Sequence, residues 1–218
     1  PMLDEGSAIL TSEFGGEYKT YYTVMEAIAN SRTTLSEIAS LFDNQPTVAN
    51  RYLDLLRKEY GLVAKTTPVT ADLKTRQGSY VLKNNFLKFW FRFLKRFESY
   101  YEQNRASQAF SEYLKAFNSF VGKSFEDYCI ELLKQNIVKP PFRLEIIGKE
   151  WGSYSEDRER KVFEIYIAAI NSEEKKMLFC ECKWKDNVNA ESILSDLKKK
   201  IELVEWNKTT RKNYYMIF

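Results

Sequence analysis

The side chains of this sequence whose types and spacing could perform chemistry are a glutamate and a lysine two residues apart, Glu181 and Lys183. They fall in an apolar run over 176–184 that predicts a β-strand and follows a similar run over 163–170. Because side chains alternate along a strand, Glu181 and Lys183 are expected on one face, with the two nearby cysteines on the other face, in the core. A carboxylate and an ammonium group would then lie side by side. On most strands such a pair belongs simply to the solvated face.

The amino-acid composition excludes several classes of catalytic and metal-binding site. Histidine is absent, which excludes Ser-His-Asp and Cys-His catalysis and histidine-ligated metals. No glycine-rich loop of the Walker type is present, so this chain alone is not expected to bind or hydrolyse nucleotide. The three cysteines lack Cys-x-x-Cys spacing, which argues against a disulfide framework and a structural zinc site. The apolar runs are shorter than the roughly 18 residues of a membrane span, and no signal-peptide pattern opens the chain, so we expect a cytoplasmic protein without membrane contact.

Residues 17–84 predict three short helices followed by two short strands, the pattern of a winged helix-turn-helix. Thr34 and Glu37 have the spacing of a capping box that opens the second helix, and Pro46 is well placed to open the third. In this fold the third helix enters the major groove of DNA by its N-terminal residues, and the loop between the strands contacts the backbone or the minor groove. The candidate DNA-binding residues are Gln45, Thr47, Asn50 and Arg51 on the third helix and Lys74 and Arg76 in the loop.

Positive charge is concentrated in residues 44–96, which carry eleven Lys or Arg against three acids. This segment therefore has a net charge of +8, and the rest of the chain has a net charge of −5. A local basic excess of this kind favours an anionic partner, and DNA fits the helical pattern around it. Winged helices also serve as protein–protein modules, especially inside ATPases, so that alternative stays open.

Apolar residues at helical spacing predict which helix faces are buried. The expected inner faces are Tyr21, Val24, Met25 and Ile28 on the first helix and Val48, Tyr52, Leu55 and Leu56 on the third. The aromatic segment 86–97 predicts one amphipathic helix and, with another over 110–121, a helical linker over 85–122. Interleaved aromatic and basic residues can hold a single nucleic-acid strand, but we favour core packing, which such a stripe more often indicates.

Residues 123–218 predict an α/β domain in the order helix, strand, strand, strand, helix, strand. Its first helix is expected to begin after Gly122, and its first strand is expected over 142–148. Glu126 on that helix would face the strand that carries Glu181 and Lys183. The chain as a whole is thus predicted to be α/β (α+β), with an N-terminal winged helix-turn-helix, a helical linker and an α/β domain.

The Glu-x-Lys strand resembles the active-site strand of the PD-(D/E)XK, or restriction-endonuclease-like, superfamily. The resemblance implies that Glu181 helps to hold Mg²⁺ or Mn²⁺ and that Lys183 stabilises the attacking water or the developing phosphate charge. It also implies an Asp ligand on the preceding strand, and that position falls on Tyr166. A phenol is a weak, uncharged ligand at neutral pH, and Glu164, on the same strand face, could replace it only if the strand shifted by two residues.

Several motifs together look like the C-terminal domain of unknown function in archaeal AAA-type ATPases. They are Leu87 to Phe93, Ser124 to Glu126, Glu164 to Ala168 and Glu181 to Trp184. The resemblance implies that an ATPase domain precedes this chain, binds the ATP and is one of its partners, and that residues 1–16 are a linker from it. It places the helix Glu of the family on Glu126, its Glu-Ile-Asp on Glu164 to Tyr166, and its Glu-Cys-Lys on Glu181 to Lys183.

We therefore expect the DNA-binding C-terminal portion of an ATPase, joined to a nuclease-like domain that performs little or no hydrolysis. One alternative is a protein-interaction module that docks on the ATPase domain or on sister subunits of a homo-oligomer. The other is an active metal-dependent nuclease. In that case Glu126 and Glu181, with Glu164 or Glu145, would gather around Mg²⁺ or Mn²⁺, and Lys183 would act on the phosphate.

Overall fold

The structure is a computed structural model that describes residues 2–72, 75 and 77–218. Helices and strands are mixed along these residues and the strands form two sheets, so the predicted α/β class is confirmed. No helix within the described residues combines the length and the apolarity needed to cross a membrane. The chain divides into two compact units, whose boundaries differ from those of the four segments expected from the sequence. The first unit comprises residues 1–66 and 78–115, and the second comprises residues 67–77 and 116–218.

The first unit opens with helices and a small antiparallel sheet: α1 (Met2–Phe14), α2 (Tyr18–Ala29), α3 (Leu35–Ala39), α4 (Pro46–Lys58), β1 (Val63–Thr66) and β2 (Ser79–Leu82). The expected capping box is present at α3. The Thr34 hydroxyl accepts a hydrogen bond from the Glu37 N–H, and the Glu37 carboxylate accepts one from the Thr34 N–H. Pro46 occupies the first turn of α4, where its missing N–H costs no hydrogen bond.

The core of the first unit is formed largely by α2 and α4. The predicted inner face of α2 is buried: Tyr21, Val24, Met25 and Ile28. The buried face of α4 is shifted by one position from the prediction, since Ala49, Leu53 and Leu56 are buried and Val48, Tyr52 and Leu55 are only half-buried. Large side chains dominate a periodicity pattern, so a small buried residue such as Ala49 escapes it.

Residues 2–14 form α1, where the sequence predicted part of a linker. Leu10 and Phe14 are buried, and the Phe14 ring stacks on Tyr21 with ring centroids 4.6 Å apart. Gly6 allows α1 to approach Trp90, because a Cβ at position 6 would overlap the indole ring. Leu10 and Phe14 of α1 therefore belong to the core of the first unit. Glycine and small polar residues between the apolar ones obscure this helix in the sequence.

The aromatic segment after β2 is helical but is not one regular helix. It consists of α5 (Asn85–Phe89), a π-helical turn (Trp90–Leu94), a 3₁₀ turn (Lys95–Phe97) and α6 (Glu98–Glu102). The wider π turn shifts the inward face, so that Trp90, Phe91 and Phe93 are all buried. Core packing, the interpretation that we favoured for this segment, is confirmed.

The second unit has the predicted order of elements: α7 (Ala106–Lys134), β3 (Ile146–Glu156), β4 (Glu159–Asn171), β5 (Lys176–Glu181), α8 (Ala190–Ile201) and β6 (Lys212–Ile217). Helix α7, whose first residues count with the first unit, runs through Gly122 without the expected break. One glycine costs a helix only about 1 kcal/mol, which is too little to end it. Strand β3 begins later than predicted and extends into a long hairpin with β4. Its turn residues Asp157 and Arg158 both have positive φ, without the glycine that usually marks such a turn.

The four strands form one sheet in the order β3-β4-β5-β6, antiparallel except for the parallel pair β5 and β6. Helix α8 packs on one face, in a cluster that includes Ile165 and Phe179. Helix α7 packs on the other face, in a cluster that includes Ile167, Cys180 and Cys182. The predicted inward orientation of the two cysteines is therefore confirmed.

The alternation of side chains along β4 is interrupted by one extra residue. The pairing of β3 with β4 shifts by one at Lys149, which lies opposite both Tyr166 and Ile167. Because of this β-bulge, Ile165 lies on the α8 face and Ile167 on the α7 face, although residues two apart share a face in a regular strand. The bulge decides which side chains of β4 meet α7.

The burial of α1 makes a prediction about stability. Replacing the buried Leu10 by alanine should lower the free energy of unfolding of the first unit by about 2–5 kcal/mol, because the substitution opens a cavity. The neighbouring Ile9 is half exposed, and Ile9→Ala is the matched control, with an expected change below about 1 kcal/mol. Urea unfolding followed by circular dichroism measures both. Equal midpoints for Leu10→Ala and the native chain would mean that α1 is not part of the core.

Candidate functional site

Four polar side chains gather on the α7 face of the sheet, around the bulge of β4. Glu126 comes from α7, Lys149 from β3, and Glu164 and Tyr166 from β4. The Lys149 Nζ lies 3.6 Å from the Glu164 Oε1 and 4.6 Å from the centroid of the Tyr166 ring. Lys149 thus provides an ion pair to the carboxylate and a cation–π contact to the phenol at the same time. We call these four residues the Tyr166 cluster.

Tyr166 stays a neutral phenol at physiological pH. Burial raises its pKa to about 12, and the negative charges of Glu164, Glu126 and Glu181 act in the same direction. A hydrogen bond between the phenol and the Glu164 carboxylate contributes as well. Tyr166 therefore donates a hydrogen bond to the carboxylate beside it and contributes no charge to the cluster.

Glu126 is the member of the cluster whose charge changes near neutral pH. Burial raises the pKa of its carboxyl group to about 7, with further increases from the charges of Glu164 and Asp127. The ammonium groups of Lys149 and Lys123 oppose this rise. The carboxyl group of Glu126 therefore changes its charge at a higher pH than an exposed glutamate does.

Glu181 and Lys183 lie together at the end of β5, as predicted. The Glu181 side chain is buried, and its carboxylate is 2.7 Å from the Lys183 Nζ and 3.6 Å from the Lys200 Nζ of α8. Phe179, two residues earlier, packs with α8, so alternation places Glu181 on the α8 face. Its contact with Lys200 agrees with that assignment. We call Glu181, Lys183 and Lys200 the Glu181 cluster.

The structure thus divides the predicted metal ligands between two groups. Glu126 lies with Glu164 and Tyr166, while Glu181 is bound to two lysines. Glu145 joins neither group, because its carboxylate accepts a hydrogen bond of 2.7 Å from the Ser172 N–H, which holds its pKa below the usual value.

Sequence reasoning missed both Lys149 and Lys200. Residue 149 lies beyond the predicted end of the first strand, and Lys200 is one of three consecutive lysines in the last turn of α8. No local signal in the sequence distinguishes either residue from a surface lysine.

The side-chain oxygen atoms of the Tyr166 cluster and the Glu181 cluster are not suited to binding a divalent cation. Such an ion prefers charged oxygen ligands, but the Tyr166 phenol is neutral, and Glu164 and Glu181 are already paired with lysines. Across residues 2–72, 75 and 77–218, no three His, Cys, Asp or Glu side chains are grouped closely enough to hold a metal ion. We derive no reaction step through a bound metal.

The three cysteines of the second unit are unreactive because they are buried. Cys129 of α7 is hydrogen-bonded to Cys182, and Cys180 lies in the same apolar cluster. Burial raises the pKa of all three thiols, so little nucleophilic thiolate is present at neutral pH.

A second candidate surface lies at the N-terminal end of α4 in the first unit. All four predicted residues are exposed there: Gln45, Thr47, Asn50 and Arg51. The Arg51 guanidinium is 3.8 Å from the Glu17 carboxylate, with both side chains largely in water, and lies 5.7 Å from the centroid of the Tyr52 ring. An exposed contact of this length is weak, so Arg51 remains able to bind another anion.

The loop between β1 and β2 was predicted to contact DNA. Its residues Lys74 and Arg76 lie outside the described residues. The described beginning of the loop packs on β3: the Val69 N–H donates to the Lys149 carbonyl at 2.9 Å, and the Thr70 N–H and hydroxyl donate to the Glu150 carboxylate at 3.1 and 2.8 Å. This part of the loop is therefore fixed by the sheet of the second unit.

Comparisons with known proteins show similarity to a family of unknown function and to an archaeal protein. Residues 90–193, a little under half of the chain, match the model of the DUF234 family, described as "Archaea bacterial proteins of unknown function". An uncharacterized protein of Methanocaldococcus jannaschii is 34% identical over 196 residues, which cover 86% of this chain. The matched residues span 41% of the length of that relative. No solved structure matches the chain.

The raised pKa of Glu126 predicts a dependence of stability on pH. A carboxyl group with a higher pKa in the folded state contributes stability that is fully present below its unfolded pKa, near 4.5, and is lost as the pH rises through 7. Glutamine cannot ionise, so Glu126→Gln should match the native protein at pH 4 and exceed its stability at pH 8. One pKa unit corresponds to about 1.4 kcal/mol, and partial exposure reduces the expected gain to about 1–2 kcal/mol.

Urea unfolding at both pH values measures this difference. Glu131→Gln is the matched control, since it removes a carboxylate of the same helix that is exposed and paired with Lys134. A native protein that is as stable as Glu126→Gln at pH 8 would contradict the burial of the Glu126 charge.

Proposed function

We propose that the first unit binds duplex DNA through the N-terminal end of α4. The observation that supports this proposal is the exposure of Gln45, Thr47, Asn50 and Arg51 on one helix end, within a segment of net charge +8. Amide side chains of Asn and Gln suit the edge of adenine, and Arg suits guanine or a phosphate. The partial positive charge of a helix N-terminus adds attraction for the phosphate backbone.

The order of elements supports the winged-helix interpretation of this unit. Helices α2, α3 and α4 are followed by the antiparallel pair β1 and β2. We assign the base contacts to α4 and only phosphate contacts to the loop between the strands. The reason is that Val69 and Thr70, at the start of that loop, are already bound to β3.

For the second unit we propose a nuclease-like sheet without efficient hydrolysis. Nuclease chemistry of this kind needs carboxylates that collect a metal beside the phosphate. Tyr166 supplies a neutral phenol at the position where the resemblance implies an Asp, and Lys149 balances the charge of Glu164. The same residues can still bind nucleic acid, since Lys183 and its neighbours need no metal to contact phosphate.

We further propose that an ATPase domain precedes this chain, which rests on the resemblance of the motifs alone. A protein-interaction module that docks on that domain or on a sister subunit is the second candidate function. Three large apolar side chains of the first unit favour it, because half or more of each is exposed: Ile9, Phe110 and Leu114. In that case the chain would bind the ATPase domain tightly and would not bind nucleic acid.

DNA binding by α4 can be measured by fluorescence anisotropy with a labelled duplex at several salt concentrations. Arg51→Glu should weaken binding about tenfold or more and should lower the slope of log K against log salt by about 1, because one phosphate or base contact is lost. Lys58→Glu is the matched control, since Lys58 lies at the other end of α4 and is paired with Asp54. Affinity that is independent of salt, or that is unchanged in Arg51→Glu, would refute the proposal.

A further inference from the structure

Trp184 is an aromatic side chain of the second unit that lies outside its apolar core. It follows Lys183 directly, and 56% of its surface is exposed. An indole combines a large, flat apolar ring with one N–H donor, so an exposed indole offers a surface on which a planar ligand can stack. The residue is also held in place, because its ring lies against Phe125 of α7 with ring centroids 5.4 Å apart. Trp184 is thus a supported aromatic surface that faces solvent.

The surroundings of Trp184 are basic on both sides along the chain. Lys183 precedes it and Lys185, which is exposed, follows it, with the exposed Asp186 as the next residue. The Glu181 carboxylate is already neutralised by Lys183 and Lys200. An anionic ligand on the Trp184 ring would therefore have Lys183 and Lys185 as the neighbours of the indole along the chain.

The ligand that combines a flat apolar face with adjacent negative charge is a nucleotide of an unpaired strand. Bases stack on aromatic side chains while the flanking phosphates contact Lys and Arg. In a duplex both faces of a base are covered by its neighbours, so the same surface could not engage a base without unstacking the helix. The geometry favours single-stranded over duplex nucleic acid at this position.

We propose that Trp184, supported by Phe125 and flanked by Lys183 and Lys185, stacks on an unpaired base of a single-stranded nucleic acid. The residues of this surface are neighbours in the sequence of both polar clusters, since Phe125 directly precedes Glu126 and Trp184 directly follows Lys183, which is bound to Glu181. The surface belongs to the second unit and does not depend on duplex binding by α4. A bound strand would have its phosphates next to Lys183.

The test compares two labelled strands of about 12 nucleotides, oligothymidylate and an abasic strand that keeps the phosphates but lacks the bases. The complete chain should bind oligothymidylate about tenfold more tightly than the abasic strand. Trp184→Ala should remove this difference by weakening only the binding of oligothymidylate, and Trp184→Phe should retain most of it. Val162→Ala is the matched control, because Val162 is the exposed apolar side chain of β4, with 79% of its surface in water.

Circular dichroism of each variant establishes that it is folded. The absence of strand binding, equal affinity of the native chain for both strands, or an equal loss for both strands in Trp184→Ala would each overturn the proposal. Loss of self-association in Trp184→Ala with strand binding intact would assign the surface to a protein partner instead. The same variants distinguish this proposal from duplex binding by α4. Arg51→Glu should lower the affinity for duplex DNA without changing the difference in affinity between the two single strands. Trp184→Ala should leave the affinity for duplex DNA unchanged.

Discussion

The β-bulge in β4 is the constraint on which the arrangement of the second unit depends. By setting two residues of β4 opposite Lys149, it turns Ile167 toward α7 and keeps Tyr166 beside Glu164 and Lys149. Regular alternation would have placed Ile165 and Ile167 on the same face and would have broken one of the two apolar clusters. Bulges are common next to functional sites because they redirect a side chain without ending the strand. Here the redirected side chain is Ile167, and Tyr166 directly before it stays beside Glu164 and Lys149.

The Glu164 and Glu181 carboxylates of the four-stranded sheet are balanced by nearby lysines. A buried carboxylate without a partner is strongly unfavourable, and a metal ion is one way to compensate it. In this sheet Lys183 and Lys200 compensate the buried Glu181, and Lys149 pairs with the more exposed Glu164. At Glu126 the ammonium groups of Lys149 and Lys123 do not offset the effect of burial, so the pKa of its carboxyl group is raised. The buried charge of the sheet is thus balanced by its own side chains.

Sequence reasoning recovered what is encoded locally and missed what depends on distant contacts. The capping box at Thr34, Pro46 at the start of α4 and the order of elements in the second unit follow from spacing and composition alone. The burial of α1 could not be predicted, because it depends on Gly6 meeting Trp90 more than 80 residues away. The bulge in β4 likewise arises from pairing with a strand that has few apolar residues. For this reason Lys149 and Lys200, the partners of the carboxylates, remained unrecognised although Glu126, Glu164, Glu181 and Lys183 were identified.

Cleavage of single-stranded, duplex and branched DNA in the presence of Mn²⁺ tests most directly whether ion pairs have replaced the metal chemistry. The native chain should cleave none of the three substrates faster than Lys183→Ala does, and Tyr166→Asp should be the variant in which metal-dependent cleavage first appears, since it restores a charged oxygen ligand. Mn²⁺-dependent cleavage by the native chain that Lys183→Ala abolishes would contradict this and would show that Tyr166 is compatible with a working nuclease.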